Sequence, residues 1–571
     1  MTSEDSAAEH RGLSLAWTRT RALLPQKADF EATKRNPKRD LIAGVTVAVV
    51  ALPLALAFGI SSGLGAGAGI ATAIVAGVVA AIFGGSNLQV SGPTGAMTVV
   101  IVPIVAKHGA SSVLVVGLLA GLILIVLAYA RAGRYMRYIP LPVVEGFTIG
   151  IAVIIGLQQI PAALGVHPSA SKVFIAALQS VKLWFESPNW APLIIAVVVA
   201  SAMLVSARYR PALPMSLAAI VIVTLIVKFA HIDVAVIGAI PRGLPSPHLP
   251  PLSMGEIESL LVPAIAVAAL AALESLLSAT VADGMSVNEH HDSDRELFGQ
   301  GMANLVAPLF GGIPATAAIA RTAVNVRSGA RSRTAAVTHS LVLLVIVLVA
   351  APWVGMIPLA ALAGVLIATA LQMIEVSSLL VLLRATRSDA VVLAVTAVAT
   401  IAFDLVTAVI VGIAVAGVLA LRQMARSAHI DEIPLDDGDH TTEETSLLSE
   451  HIVAYRLEGA LFFGAAHQFL LELSEVSDVR VVILRLSRVP TIDATGASVL
   501  ADTIKRLEGR NISVLLSGIR PEHVRVLSHL GVYDELAHER HIFATTPEAI
   551  EHARKHAHRI AHEAESGPNQ T

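Results

Sequence analysis

Val90-Ser91-Gly92-Pro93-Thr94-Gly95-Ala96 and Gly311-Gly312-Ile313-Pro314-Ala315-Thr316-Ala317 decide the fold. Each sets an extended Gly/Pro run before a small-residue helix start. Proline is pre-set for a first helical turn, where its missing N–H costs nothing. The helices they open read as Thr94–Lys107 and Ala315–Val326. At 1.5 Å per residue these cover about 21 and 18 Å, short of the ~30 Å hydrocarbon core of a bilayer.

The chain around them is built for a membrane. Of its 571 residues 55% are hydrophobic and 15% charged, against about 25% charged in an ordinary soluble chain; the mean hydropathy is +0.72. Apolar runs near span length recur from Leu41 to Leu421. The first half gives Leu41–Ser62, Ala66–Gly84, Thr94–Lys107, Ser111–Ala130, Pro142–Leu164, Trp190–Ser206 and Leu213–Phe229. The second gives Ser259–Ala282, Glu296–Leu309, Ala315–Val326, Thr334–Ala351, Gly355–Ile374, Asp389–Phe403 and Leu405–Ala425. The expectation is fourteen spans, seven and seven, with the amphipathic stretch Ser171–Trp184 left outside. Seven is odd, so the two sets insert with opposite orientation. Basic residues follow the even-numbered spans: Arg131, Arg134 and Arg137, then Arg208 and Arg210, then Arg327, Arg331 and Arg333, then Arg384 and Arg387. The positive-inside rule then places both termini in the cytosol. The polar stretch Met1–Arg39 lacks the apolar core of a signal peptide. No cysteine occurs, which excludes disulfides and thiolate chemistry.

Paired, short, Gly/Pro-interrupted segments at matching positions mark the binding site of an inverted-repeat transporter. A helix N-terminus offers unpaired N–H groups and about half a positive charge. Two such ends meeting at mid-membrane make an anion site without a formal cation. Glu274 lies near the middle of the eighth span, with Ser278 one turn on along the same face. An ionisable group at that depth is a functional candidate by default, here a proton carrier; the alternative is a hydrogen-bonded structural carboxyl. Arg321 either adds positive field to the site or anchors the far end of the tenth span. His290-His291-Asp292 and the tail residues His552, His556, His558 and His562 have metal-compatible spacing but lie in hydrophilic segments, and read as solvated faces.

The chain resembles the SulP family of anion transporters, the group that includes sulfate permeases and the motor protein prestin. Leu52-Pro53-Leu54-Ala55-Leu56-Ala57-Phe58 looks like the family's first helix and Gln89–Gly95 like its third. Ala272–Leu277 with Asp283-Gly284 looks like the eighth. Gly299–Asn304, Gly311–Thr316, Ala320-Arg321-Thr322 and Asn325–Gly329 look like the ninth and tenth. The resemblance implies a fourteen-helix fold with core and gate subdomains, an elevator-like motion and usually a homodimer. It implies that Leu54, Phe58, Thr94, Gly95, Ala96, Thr316, Ala317 and Arg321 surround the substrate. Some bicarbonate carriers of the family have Asp at the Glu274 position to bind sodium; Glu is found in members thought to couple to protons.

After a polar linker, 426–450, residues 451–562 read as an α/β domain resembling the family's STAS domain, with 563–571 a disordered tail. Ile452–Leu457, Val479–Leu486 and Ile512–Leu516 read as strands, Thr495–Glu508 and Pro521–Leu530 as helices. Asp493-Ala494-Thr495-Gly496 matches the loop phosphorylated in soluble relatives, which makes Thr495 the equivalent position; it also suits plain helix capping by Asp493. The expected fold class is thus a polytopic α-helical membrane protein of fourteen spans in a 7+7 inverted repeat, with two half-helices and a cytosolic STAS domain. The expected function is proton-coupled symport of a small anion (sulfate, bicarbonate or a dicarboxylate) across the cell membrane. A passive exchanger or channel and a membrane-anchored signalling protein are the rivals. No cofactor, metal, enzymatic activity or nucleic-acid partner is expected, and proton is preferred to sodium.

Overall fold

The computed structural model describes residues 19–31, 37–170, 172–209, 214–249, 254–286, 289–403, 405–427, 429–431, 447, 450–462, 479–536, 538 and 541–565. The chain divides into two compact units, residues 1–414 and 415–571.

The first unit is helical. Its helices are α1 (Pro37–Ser61), α2 (Ala66–Phe83), α3 (Gly95–His108), α4 (Ala110–Tyr129), α5 (Leu141–Leu164), α6 (Val173–Glu186), α7 (Trp190–Tyr209) and α8 (Met215–Phe229). A second set follows: α9 (Met254–Met285), α10 (Ser293–Val306), α11 (Ile319–Arg327), α12 (Thr334–Val354), α13 (Leu359–Met373), α14 (Val376–Ala385), α15 (Arg387–Ala402) and α16 (Leu405–Ser427), the last crossing into the second unit. The sets run in the same order. In each, the third helix is short and follows a two-residue strand, β1 (Ser91–Gly92) or β2 (Thr316–Ala317). In each, the sixth helix is short and carries exposed apolar residues: Phe174, Leu178 and Phe185 on α6, Val376, Leu380 and Val381 on α14. Among the described residues, nine stretches are long and apolar enough to cross a membrane; α3 and α8 are shorter apolar helices.

Small residues let these helices approach closely. A Cβ on Gly121 of α4 would stand 2.8 Å from the Gly301 carbonyl oxygen of α10, so the two backbones touch. Where polar groups enter this core they tie helix ends. Asp40, fully buried in α1, accepts from the Arg331 N–H at 2.7 Å and the Ser332 N–H at 3.2 Å, just before α12. Arg333 donates to the Gly84 carbonyl at 2.7 Å, just past the end of α2, where helix carbonyls lack partners. Arg333, one of the basic residues that follow the tenth span, is not a surface charge: it is 3% exposed.

The second unit is a five-stranded sheet in the order β3-β4-β5-β6-β7, formed by His429–Asp431, Ile452–Glu458, Val481–Arg485, Ser513–Ser517 and Ile542–Phe543. β3 runs antiparallel to β4 and the other pairs are parallel. Val482 and Leu484 of β5 face α17 (Ala494–Glu508) and α18 (Pro521–His529), through Leu500, Ile504 and Leu527. Val481 and Ile483 face α19 (Thr546–Glu565) through Ala549, Ile550 and Ala553. Burial on both faces explains why this strand reads as an unbroken apolar run.

Two boundaries need correction. Residues 429–431 belong to the sheet rather than to the linker, because their backbone groups pair with Arg456–Glu458. The expected tail begins too early, since α19 continues to Glu565; residues 566–571, most of the linker and the loop charge Arg210 lie outside the described residues.

Candidate functional site

The two Gly/Pro segments meet. β1 and β2 pair antiparallel, Ser91 opposite Ala317 and Gly92 opposite Thr316, and the Ala318 N–H extends the pairing to the Val90 carbonyl at 3.1 Å. Extended backbone inside a helical membrane unit must find partners of its own, and each segment supplies the other's. Gly92 has φ +156°, and a Cβ there would press on Arg321 Nη1 at 2.5 Å.

α3 starts where the sequence places it. Thr94 is its N-cap, with extended backbone and a hydroxyl that accepts from the Met97 N–H at 3.3 Å. The second helix starts later than expected. Ala315, Thr316 and Ala317 are not its first turn; α11 begins at Ile319, after Ala318 as N-cap. The cause is Asn304 of α10, fully buried: its Oδ1 accepts from the Ala315 N–H and its Nδ2 donates to the Ala315 carbonyl, both at 2.8 Å. With both backbone groups held by one amide, Ala315 stays extended. At nine residues α11 spans only about 13 Å.

One face of α9 walls both segments. Glu274 Oε2 accepts from the Thr94 hydroxyl at 2.8 Å. One turn before, the Ala271 carbonyl accepts from Thr316 Oγ1 at 3.2 Å. The Ser275 carbonyl accepts from Gln89 Nε2 at 2.8 Å. Ser278 donates to Thr322 Oγ1 at 3.0 Å, not to Glu274, so its hydroxyl ties α9 to α11. Thr322 also accepts from the Val90 N–H at 3.1 Å.

The later start brings Arg321 into the first turn of α11. It is 2% exposed, its Nη2 donates to the Pro93 carbonyl at 2.7 Å, and its Nη1 has no partner. A buried guanidinium N–H without an acceptor is costly and suits an anion. Phe58 of α1 is buried at the start of α3: a Cβ on Gly95 would stand 3.1 Å from Phe58 Cε1 and collide with Ile155 of α5. Leu54, one turn earlier on α1, is buried in the core. Ala96, Thr316 and Ala317 are all buried here. Apart from Leu54, the residues singled out as substrate-facing gather around the β1–β2 crossing. Asn304, Thr322, Gln89 and Ile155 received no role from the sequence; nothing local to them signals the segments they touch, which for Gln89 and Thr322 lie 186 and 232 residues away.

The histidine clusters are only partly solvated: His290 and Asp292 are exposed, while His291, His552 and His556 are half-buried. His291 Nδ1 lies 2.7 Å from Asp283 Oδ2 and its Nε2 3.0 Å from Ser293 Oγ, with 12% of the side chain exposed. His541 is 3% exposed and sits against His552 and His556, with ring centroids 5.6 and 5.5 Å away. The side chains of His558 and His562 lie outside the described residues. No cluster able to hold a metal occurs among the described residues. In the second unit Asp493 caps α17, accepting from the Gly496 N–H at 2.7 Å, and Thr495 beside it is exposed.

Residues 38–396 match the sulfate permease family and residues 447–549 the STAS domain. The chain is 35% identical to a putative sulfate transporter, YvdB, of Bacillus subtilis (strain 168), over 89% of this chain and 96% of that one. Among solved structures, the transmembrane domain of a cyanobacterium bicarbonate transporter, BicA, is 33% identical with a TM-score of 0.59, covering 67% of this chain and 97% of that one. The murine Slc26a9 anion transporter in its inward-facing state has the same fold at 19% identity, with a TM-score of 0.77 over 90% of this chain and 91% of that one.

Proposed function

The chain belongs to the sulfate permease family, and from that premise we propose that it is a proton-coupled symporter of sulfate or bicarbonate. The family's members are transporters, not enzymes. One observation carries the finer reading: Thr94, which caps α3, is hydrogen-bonded to Glu274, in a site whose other wall is the buried Arg321. The anion lies between the start of α3, β2 and the first turn of α11, flanked by Leu54 and Phe58. It draws on the α3 helix end and on Arg321 Nη1.

Glu274 carries the proton. Moving one anionic charge against an inside-negative potential costs about 2.3 kcal/mol per 100 mV, and one accompanying proton offsets that for a monovalent anion. Ser278 supports this indirectly, by holding α9 against α11. The fourteen-span 7+7 inverted repeat, the elevator-like motion, the homodimer and the cytosolic termini in the cell membrane complete the proposal. The matched order of α1–α8 and α9–α16 supports the repeat. The test is uphill uptake of labelled sulfate and bicarbonate into proteoliposomes, with and without an inward proton gradient. Accumulation only with the gradient supports symport; exchange indifferent to the gradient means a passive exchanger, with Glu274 structural.

A further inference from the structure

His339 of α12 is fully buried, and its neighbours fix where it points. Thr338, one position before, packs on α1: a Cβ on Gly44 would stand 2.6 Å from Thr338 Cβ. Ser340, one position after, donates to the Ala73 carbonyl of α2 at 3.1 Å. Leu341, Val345, Leu348 and Val349 form the exposed side of α12. His339 therefore points inward, between α1 and α2. The same stretch of α2 carries β1. A Cβ on Gly77 would meet both Ser340 Oγ and the Ser91 carbonyl, and one on Gly92 would stand 3.3 Å from Ala73 Cα and 2.5 Å from Arg321 Nη1. The charge of Arg321 reaches the His339 ring.

Hydrogen bonding fixes the tautomer of the neutral ring. The one hydroxyl proton of Ser340 goes to the Ala73 carbonyl, so toward His339 Nδ1, 3.4 Å away, that hydroxyl can only accept. Nδ1 therefore carries the ring hydrogen and Nε2 is left as an acceptor. Nε2 is buried and has no partner. Arg321 Nη1, a donor, has none either. One acceptor and one donor thus stand unpaired in the same buried region, and each is costly if left so. Sulfate offers only acceptor oxygens and satisfies the donor alone. A monovalent oxyanion that keeps a hydroxyl, as bicarbonate does, offers an oxygen to Arg321 and a hydrogen to His339.

We propose that His339 is the specificity-determining residue of the anion site: its Nε2 accepts from the hydroxyl of a hydrogen-bearing oxyanion and so selects bicarbonate over sulfate. A site built to bond a substrate hydroxyl rejects the analogue that lacks it, because its own polar atom is then left unpaired. Such an anion carries one charge, which the single proton on Glu274 balances. The proposal deepens the transport reading above and rests on its anion site.

Nitrate separates the hydrogen from charge and shape, being planar and monovalent like bicarbonate but without a hydroxyl. Binding of bicarbonate, nitrate and sulfate to the purified full chain is measured by calorimetry at one mildly alkaline pH. The wild type should bind bicarbonate at least about tenfold more tightly than nitrate or sulfate. In His339→Gln the terminal amide can turn either its N–H or its oxygen to the anion, so the gap should close to within about threefold. Nitrate or sulfate bound by the wild type as tightly as bicarbonate overturns the selection, and that comparison needs no variant. A gap that survives whole in His339→Gln overturns the role of His339. Uptake of labelled bicarbonate by the wild type in proteoliposomes reads the transport proposal separately: selective binding without uptake overturns transport and leaves the assignment of His339 standing.

Discussion

Thr94 and Glu274, 180 residues apart, form one unit: the Thr94 hydroxyl donates to Glu274 Oε2 at 2.8 Å while the same oxygen accepts from the Met97 N–H. The cap that opens α3 is thus bonded to the carboxyl of α9. A change of protonation at Glu274 reaches the start of α3, the helix end proposed to face the anion, through the Thr94 hydroxyl alone. This is a physical route for coupling, and it can be broken one atom at a time.

Thr94→Val keeps the shape and removes both bonds, while Thr94→Ser keeps both. The lost cap alone costs about 1 kcal/mol, and the carboxyl loses its donor as well. Uptake in proteoliposomes should fall by about tenfold or more in Thr94→Val and stay within about threefold of wild type in Thr94→Ser, each 1.4 kcal/mol being a factor of ten. Equal loss in both would remove the hydroxyl from the coupling.

Glu274→Gln retains a group that can accept from Thr94 and removes the titration. Accumulation driven by an inward proton gradient should vanish, with anion-for-anion exchange retained. If the variant still concentrates anion, the proton travels elsewhere. If the wild type responds to sodium instead, the coupling ion is sodium.

Gly95 admits no side chain while Ile155 stands over it. Gly95→Val should abolish uptake with little change in the amount or size of folded protein, since overpacking costs typically about 1–3 kcal/mol. Ile155→Ala in the same chain should restore part of it. Failure of any rescue would mean that α3 itself, rather than the space above it, is disturbed.

Asn304→Leu leaves both backbone groups of Ala315 buried and unpaired. Each such group costs about 1–3 kcal/mol, so thermal unfolding in detergent should shift down by several degrees and anion binding should weaken. Asn304→Asp, which keeps one of the two bonds, should fall between. Unchanged stability in Asn304→Leu would mean that β1–β2 pairing alone holds the strand.

His541 is a pH-sensitive element of the second unit. Burial, then the neighbouring His556, His552 and His538, push its pKa from 6.5 down to about 4. The unfolded chain therefore takes up a proton first as pH falls. Stability contributed by the neutral imidazole is whole above pH 6.5 and is lost between pH 6.5 and about 4. Hydrogen exchange along α19 in the full chain should accelerate through that window, and His541→Phe should flatten the dependence. An acceleration that persists unchanged in His541→Phe would assign the sensitivity to another group.

Much of this protein is written locally. The free energy of moving a side chain into a bilayer depends on that side chain, so apolar runs, the mid-membrane Glu274 and the Gly/Pro entries are legible residue by residue. The start of α3 is legible for the same reason: Pro93 and a capping Thr94 are neighbours. The start of α11 was not. Pro314 gives the same signal as Pro93, but Asn304 holds Ala315 extended and β1 pairs with Thr316–Ala317, so Ile319 begins the helix. Ser278 and Glu274 share a helix face, yet one meets Thr322 and the other Thr94. His552 and His556 pass for a charged surface until His541 packs against them. Hydrogen-bond partners far apart in the chain are chosen by which backbones cross, and only the folded packing determines that.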